Sequence, residues 1–423
     1  MSPVTSATRP PAAPPWAGRA ASLTGSVIDS STSLLQAQTH DIVRFAMGSP
    51  AAEAVPTDVL GPLAAEVFAT GASALDYAAS EGDPALRNAL LAFLDGTQEA
   101  TTPERLMITS GGMQGLDLAC KLFVDPGDLV AVESPTYTNG TATVLSYGGT
   151  VLEVPVDADG MVVEALPELA ERAGRTPKAI YVIPNFQNPS GTTLSLERRR
   201  LLLELAERWD AAIIDDDPYG LLRFAGEPVP SLRALAGEGP RVVSVRTFSK
   251  IIAPGLRVGW VDADPRTVTK MIAAKQAMDT CVNLPAQRLV GAFLAGGHLA
   301  PHLERLRPEY RRRKDAMCAA LSAHLGDAAT WTDPDGGFFC WVTLDAPPGF
   351  VRGDPHVDTG KLFEVALAEG VAFIPGPPFS ASGRFGNALR LCFASSTPER
   401  IDEGVRRLAS ALRLVTAEAP GGR

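Results

Sequence analysis

Lysine is rare in this 423-residue chain, at seven against 31 arginines, and 38 basic against 48 acidic side chains leave a formal charge of −10. No block of basic residues is interleaved with aromatics, so nothing attracts nucleic-acid phosphates or anionic lipid, and a small-molecule partner is expected. Long apolar runs are missing as well. The longest stretch without a charge, Ser134 to Leu152, carries Pro135, Asn139 and a scatter of Gly, Thr and Tyr, too polar a mixture to span a bilayer. The N-terminus lacks the charged-then-apolar order of a signal peptide; its Pro3, Pro10, Pro11, Pro14 and Pro15 among small residues predict a flexible arm, and a cytoplasmic location is expected. Five cysteines (Cys120, Cys281, Cys318, Cys340, Cys392) lie far apart among apolar neighbours without a CxxC pair, which predicts buried free thiols. Of the five histidines, His298 and His302 are four apart, but Pro301 intervenes and no third metal ligand is near. Neither a Walker Gly-Lys-Ser/Thr nor a GxSxG elbow occurs, and no internal repeat has a fixed period.

What is present is material for a large core: 45% of residues are hydrophobic and 20% charged, enough for two or three packed units. Asp83 and Pro84 form an N-cap and first-turn pair, with Leu86, Leu90, Phe93 and Leu94 at helical spacing behind them. From Leu106 onward short apolar runs end in polar or Gly-rich loops: LMITSGG, DLVAVESPTY, AIYVIPNFQNPSG, AAIIDDDPYG, RVVSVRTFSK and LRVGWV. Amphipathic stretches separate several of them, such as Leu194 to Trp209, so an α/β fold with a mostly parallel sheet covered by helices is expected. Past Pro301 the texture becomes a basic helical run, a Gly-rich strand, a helix from Thr359, the turn IPGPPF, the strand LRLCF and a last helix from Pro398, a separate α+β unit. The run Arg311, Arg312, Arg313 and Lys314 reads as a solvated face.

Nearly every polar cluster follows a strand, at the sheet edge where α/β proteins bind ligands. Ser110-Gly111-Gly112-Met113 before a helix is a phosphate cradle or a turn that binds nothing. Arg246-Thr247-Phe248-Ser249-Lys250, with Arg257 seven residues on, gathers two hydroxyls, a lysine and an arginine. In a chain so poor in lysine, Lys250 at a strand end reads as an amine activated by desolvation and a neighbouring cation, with a structural ion pair as the alternative. Asp215-Asp216-Asp217 alternate in direction on an extended segment, with no histidine beside them, so one aspartate is better suited to hold a proton on a heteroaromatic nitrogen than to join a metal site. These parts, with the Asn-Pro-Gly loop after Asn185, are those needed to hold pyridoxal 5′-phosphate.

At this point the chain resembles the class I aminotransferases of fold type I, closest to the aminoadipate and kynurenine aminotransferase branch. YVIPNFQNPSG, IIDDDPYG, TFSKIIAPGLRVGW, GGFFCWV, VAFIPGPPF and LRLCFASSTPERIDEGVRRLA carry the likeness, from about Ile42 to Leu412. The resemblance implies a homodimer with shared active sites, a large cofactor-binding domain over 42–300 with a mostly parallel seven-stranded sheet, and a small domain over 301–423 behind an arm and first helix over 1–41. It makes Lys250 the Schiff-base lysine and Asp216 the partner of the pyridine nitrogen. Asn188 and Tyr219 would bond the ring's 3′ oxygen and Tyr137 would stack on its face. Gly112 and Met113 amides, Thr247, Ser249 and Arg257 would hold the phosphate, with Tyr77 reaching over from the other subunit. Arg390 would clamp the substrate α-carboxylate, and Gly48 would line the substrate pocket beside Asn188.

The family's usual Gly-Ser-Gln-Gln reads Gly111-Gly112-Met113-Gln114 here, and the strings Tyr77 to Gly82 and Met47 to Pro50 depart from its pattern beside the substrate. The expected activity is transfer of an α-amino group from an amino acid to a 2-oxo acid. A rival is a cofactor-sharing enzyme that diverts the same carbanion to β or γ elimination, replacement or ring closure. A second is a transcription regulator carrying this fold behind a winged helix, for which the sequence shows no basic helix-turn-helix. The resemblance implies an arginine of the first N-terminal helix for a distal carboxylate, and Ser22 to Gln38 has neither Lys nor Arg, so an uncharged donor side chain is expected over a long acidic one; Arg44 is the cation that could substitute, or it pairs with a structural carboxylate.

Overall fold

The apolar runs pair into an eight-stranded sheet in a computed structural model that describes residues 14–23, 25, 38–345 and 358–417. Most of the arm expected over 1–41 lies outside the described residues. In spatial order the strands are Leu106–Thr109, Gly259–Asp262, Val242–Thr247, Ala212–Asp216, Ala179–Val182, Leu129–Ser134, Thr150–Asp157 and Gly160–Met161. The middle five run parallel, in register through Val132, Tyr181, Ile214 and Val243. Four of these five are buried along their whole length, as strands covered on both faces by helices must be. Gly259–Asp262 runs antiparallel to both its neighbours. Seven strands are expected and an eighth is found: after Asp157 the chain doubles back, with Gly160 at φ 87°, and pairs antiparallel for two residues. A Cβ at 160 would press on the Leu194 backbone, so only glycine permits that return.

Helix Pro84–Leu94 begins where Asp83 accepts the amides of Ala85 and Leu86, and it buries Leu86, Leu90 and Leu94. Helix Gly111–Phe123 packs Leu116, Leu118, Ala119 and Cys120 into the cluster that holds Val243, Val245 and Val261 of the sheet. The C-terminal part forms an antiparallel sheet of Ala329–Trp331, Phe339–Leu344, Ala388–Cys392 and Ile374–Pro375, with helices Leu299–His324, Thr359–Ala368 and Pro398–Ala417. Val43–Arg44 pairs parallel with Val371–Ala372, which threads residues 45–49 between the two sheets.

Two further expectations change. Arg313 is buried instead of solvated, because it turns inward to Glu53 at 2.5 Å, Glu309 at 2.9 Å and the Ala394 carbonyl. Cys120, Cys340 and Cys392 are buried free thiols, whereas Cys281 and Cys318 are only partly covered, Cys318 lying on the face of helix Leu299–His324 beside Asp333. Among the described residues no helix is long and apolar enough to cross a membrane.

Candidate active site

The carboxyl ends of the parallel strands and the second sheet enclose a cavity of about 360 Å³. One end is built for an oxyanion. Helix Gly111–Phe123 starts at Ser110 with no side-chain cap, so its positive end faces the cavity at Gly112 and Met113. Gly111 has φ 69°, and a Cβ there would meet the Arg257 guanidinium. Arg257 donates through Nη1 to Ser249 Oγ at 3.2 Å and through Nη2 to the Ser110 carbonyl at 3.3 Å. The Thr247 hydroxyl donates to Ser249 Oγ at 2.8 Å and accepts the Ser249 amide at 3.1 Å. Two hydroxyls, a helix start and a guanidinium converge there, a donor set suited to phosphate.

At the other end the three successive aspartates go three ways. Asp215 turns from the cavity, where its Oδ2 accepts from Arg246 at 2.9 Å and Ser244 at 3.1 Å. Asp217 closes the next turn, accepting the amides of Tyr219 and Gly220 and the Asn185 Nδ2 at 2.6 Å. Asp216 alone lines the cavity, and the Tyr181 hydroxyl donates to its Oδ2 at 2.9 Å. Burial pushes its carboxyl up to about 7, against the lowering effect of that hydrogen bond. Arg246, though in the same string as Lys250, therefore serves Asp215 and Glu99 and does not line the cavity.

Lys250 stands between these ends, its Nζ donating to the Gly48 carbonyl at 2.7 Å. Desolvation pulls its amine down to about 8; Cys392 opposes this, and the Arg390 and Arg257 charges add to it. Arg390 is 1% exposed, donates to Asn188 Oδ1 at 3.0 Å and the Ala46 carbonyl at 2.8 Å, and sits over the Phe339 ring at 4.2 Å. Among the described residues the groups that act on its charge are Cys392, Tyr219 and Tyr137, none of them a carboxylate, and its Nε is buried without a partner. A buried cation without a carboxylate partner is costly unless an anion completes it, and a substrate carboxylate is such an anion.

Gly48, Gly112, Met113, Tyr137, Asn188, Asp216, Tyr219, Thr247, Ser249, Lys250, Arg257 and Arg390 all line this one cavity. Tyr219 is held edge-on by Phe338 and Phe339 at 5.4 and 5.8 Å. Tyr77 is 82% exposed and lies outside the cavity of its own chain. Arg44 is exposed and also outside it. Sequence reasoning did not single out Asn139, which donates to the Tyr137 hydroxyl at 3.2 Å, nor Phe339. Asn139 was within reach, two residues past Tyr137 in the first turn of a helix; Phe339 was not, since its neighbour Phe338 is equally buried and only strand register separates them.

Comparison with known proteins matches residues 41–408 to the family model described as aminotransferase class I and II. Aromatic-amino-acid aminotransferase 1 of Thermococcus litoralis is 39% identical over 381 residues, 89% of each chain. The 2-aminoadipate transaminase of Thermus thermophilus is 38% identical over 379 residues, 89% of this chain and 91% of that one. Among solved structures, the α-aminoadipate aminotransferase LysN of Thermus thermophilus, complexed with N-(5′-phosphopyridoxyl)-L-leucine, superposes with a TM-score of 0.85 at 35% identity, covering 95% of this chain and 98% of that one.

Proposed function

Because this chain belongs to the class I and II aminotransferases, we propose a role for each cavity residue in moving an α-amino group from an amino acid to a 2-oxo acid. The chain is an aminotransferase, and its relatives do not favour the diverted-carbanion chemistry. Its family implies pyridoxal 5′-phosphate, and the cavity fits that group: an oxyanion cradle at one end, a buried carboxyl at the other and an amine between them. When bound, the cofactor supplies an aldehyde and an electron-withdrawing ring.

The chain's residues do the rest. Lys250, neutral in good part at pH 8, is the attacking amine and, once released, the base that takes the substrate α-proton. Asp216 faces the ring nitrogen and holds a proton there. Asn188 and Tyr219 serve the 3′ oxygen, and Tyr137 covers the ring face. The amides of Gly112 and Met113 with Thr247, Ser249 and Arg257 bind the phosphate. Arg390 takes the α-carboxylate beside Asn188 and Gly48, held in place by its bonds to Asn188 and the Ala46 carbonyl. A homodimer is proposed in which a second copy covers exposed Phe68, Leu75 and Tyr77 and Tyr77 reaches the partner's phosphate end. The division into a large domain over 42–300 and a small one over 301–423 is retained as a proposal, as is a cytoplasmic location, in keeping with five cysteines that are all free.

The donor side chain is proposed to be uncharged. The relatives are named for different substrates, aromatic amino acids in one and 2-aminoadipate in another, so the cavity's own residues must decide. Among the described residues its cations are Lys250, Arg257 and Arg390, each already engaged in the roles above, while Met47, Leu116, Ile183 and Phe339 give it apolar walls.

The observation that carries the assignment is the Lys250 amine, desolvated and held at 2.7 Å by the Gly48 carbonyl between cradle and carboxyl. Borohydride reduction of the yellow holoenzyme should fix the cofactor's mass on the peptide containing Lys250. Mass on a peptide bearing any other lysine would overturn it.

A further inference from the structure

We propose that Tyr181 is a positioning residue that keeps the Asp216 carboxylate ionised, and with it the shared proton on the ring nitrogen of the bound cofactor, and that residue 140 is glycine in order to admit Tyr181. This deepens the reading above and rests on Asp216 facing that nitrogen.

Asp216 has every electrostatic reason to keep a proton for itself. It is 7% exposed, with Asp215 and Asp217 as its chain neighbours and Glu133 close enough to be coupled to it. The Arg246 guanidinium, on the neighbouring strand, acts on it only at a distance, being bonded to Asp215 and Glu99. Of the groups that favour the ionised form, with Arg246 and Lys250 acting through charge alone, the Tyr181 hydroxyl is the one that bonds it, donating at 2.9 Å from the adjacent parallel strand. Tyr181 is 2% exposed, and burial holds its phenol protonated well above the usual range, so it stays a donor throughout the working pH range. Phenylalanine would fill the same space; the hydroxyl, costly to bury, is there for its partner.

Gly140 supplies the second line of argument. It lies in the first turn of helix Thr138–Ser146 with no positive φ, a position where alanine is ordinarily the better residue. A Cβ there would strike the Tyr181 ring and come within 2.7 Å of the hydroxyl oxygen. The glycine is therefore explained by the ring that occupies its missing side chain.

A carboxyl that has lost its donor keeps the proton, and the ring nitrogen then meets a neutral acid in place of a carboxylate. The test is binding to the apoenzyme of pyridoxal 5′-phosphate and of its 1-deaza analogue, which has carbon at the nitrogen position and cannot share the proton. Tyr181→Phe should weaken the natural cofactor about tenfold, as expected for a hydrogen bond to a charged group, and the analogue less than twofold. Gly140→Ala should show the same selective loss by pushing the ring aside. Equal weakening of both ligands by Tyr181→Phe, or no weakening of either, overturns the inference. Asp216→Asn distinguishes the two levels. If it lowers affinity for the natural cofactor alone while Tyr181→Phe does not, only the Tyr181 role falls; if it treats both ligands alike, the Asp216 reading falls and takes the inference with it.

Discussion

Adjacent aspartates in one strand should fail in opposite ways when each is changed to asparagine. Asp215 is wholly buried and holds Arg246 at 2.9 Å; Asp215→Asn leaves that guanidinium, itself 6% exposed, with Glu99 at 3.3 Å as its remaining carboxylate. Breaking a buried pair costs about 3 to 5 kcal/mol, and the surviving Glu99 contact puts this case at the low end. For a chain of this size the fall in Tm is on the order of 5 °C. Asp216→Asn removes no salt bridge. Because burial raises the Asp216 carboxyl from 3.8 to about 7, its folded form binds the proton more tightly than its unfolded form. The stability this contributes is present below 3.8 and lost as pH rises through about 7. At pH 8 the apo Asp216→Asn protein should therefore melt no lower than wild type. Its turnover should fall by about 10² to 10⁴, or about 3 to 5 kcal/mol of transition-state stabilisation, because an amide cannot hold a proton on the ring nitrogen. The assays are kcat at saturating donor and melting of the apoprotein at pH 8. An Asp215→Asn enzyme that loses as much turnover as Asp216→Asn, with Tm unchanged, would refute the division of labour.

Three further outcomes follow from the site. The rate of cofactor capture by apoenzyme, read from its visible absorption, should rise nearly tenfold per pH unit below the Lys250 value of about 8 and then level off, since the neutral amine is the nucleophile; a rise continuing toward pH 10 would mean an unperturbed lysine. Gly111→Ala should weaken cofactor binding at least tenfold, because φ 69° and the Arg257 guanidinium both exclude a Cβ, and unchanged binding would show that this turn does not form the cradle. Comparing kcat/KM for leucine, phenylalanine, methionine, glutamate and 2-aminoadipate should favour an uncharged donor, and Arg44→Ala should leave the ranking unaltered; a tenfold preference for 2-aminoadipate that Arg44→Ala abolishes would reverse the conclusion.

Much of the site was legible before any coordinates, for a local reason. The α/β alternation from Leu106 onward, the capped helix at Asp83 and the clusters after each strand follow from periodicity, caps and strand ends, which act over a few residues. Lys250 stands out as a scarce lysine at a strand end, whereas Asp216 and Arg390 could be named because short strings around them resemble those of the family. That alternation in a strand would send Asp215 and Asp216 to opposite sides was also available from the chain alone.

Long-range packing decided the rest. Nothing near Arg390 in sequence says that it will be buried over Phe339 with an unpartnered Nε, for its partners Asn188 and Ala46 are 202 and 344 positions away. Arg313 belongs to a basic run that resembles a solvated face, yet it is buried with its guanidinium on Glu309, on Glu53 260 positions earlier and on the Ala394 carbonyl 81 positions later. Arg44 stands in the sequence between a substrate contact and a structural ion pair, and pairing of Val43–Arg44 with Val371–Ala372 sends it outward. The glycine at 140 looks like a weak helix residue until Tyr181, from a strand in another part of the chain, fills its place. Residue type, short spacing and family likeness thus determined which groups are proposed to carry the chemistry. Burial, charge pairing and the values at which Lys250 and Asp216 titrate depend on atoms brought together across hundreds of residues, and those only the folded chain assembles.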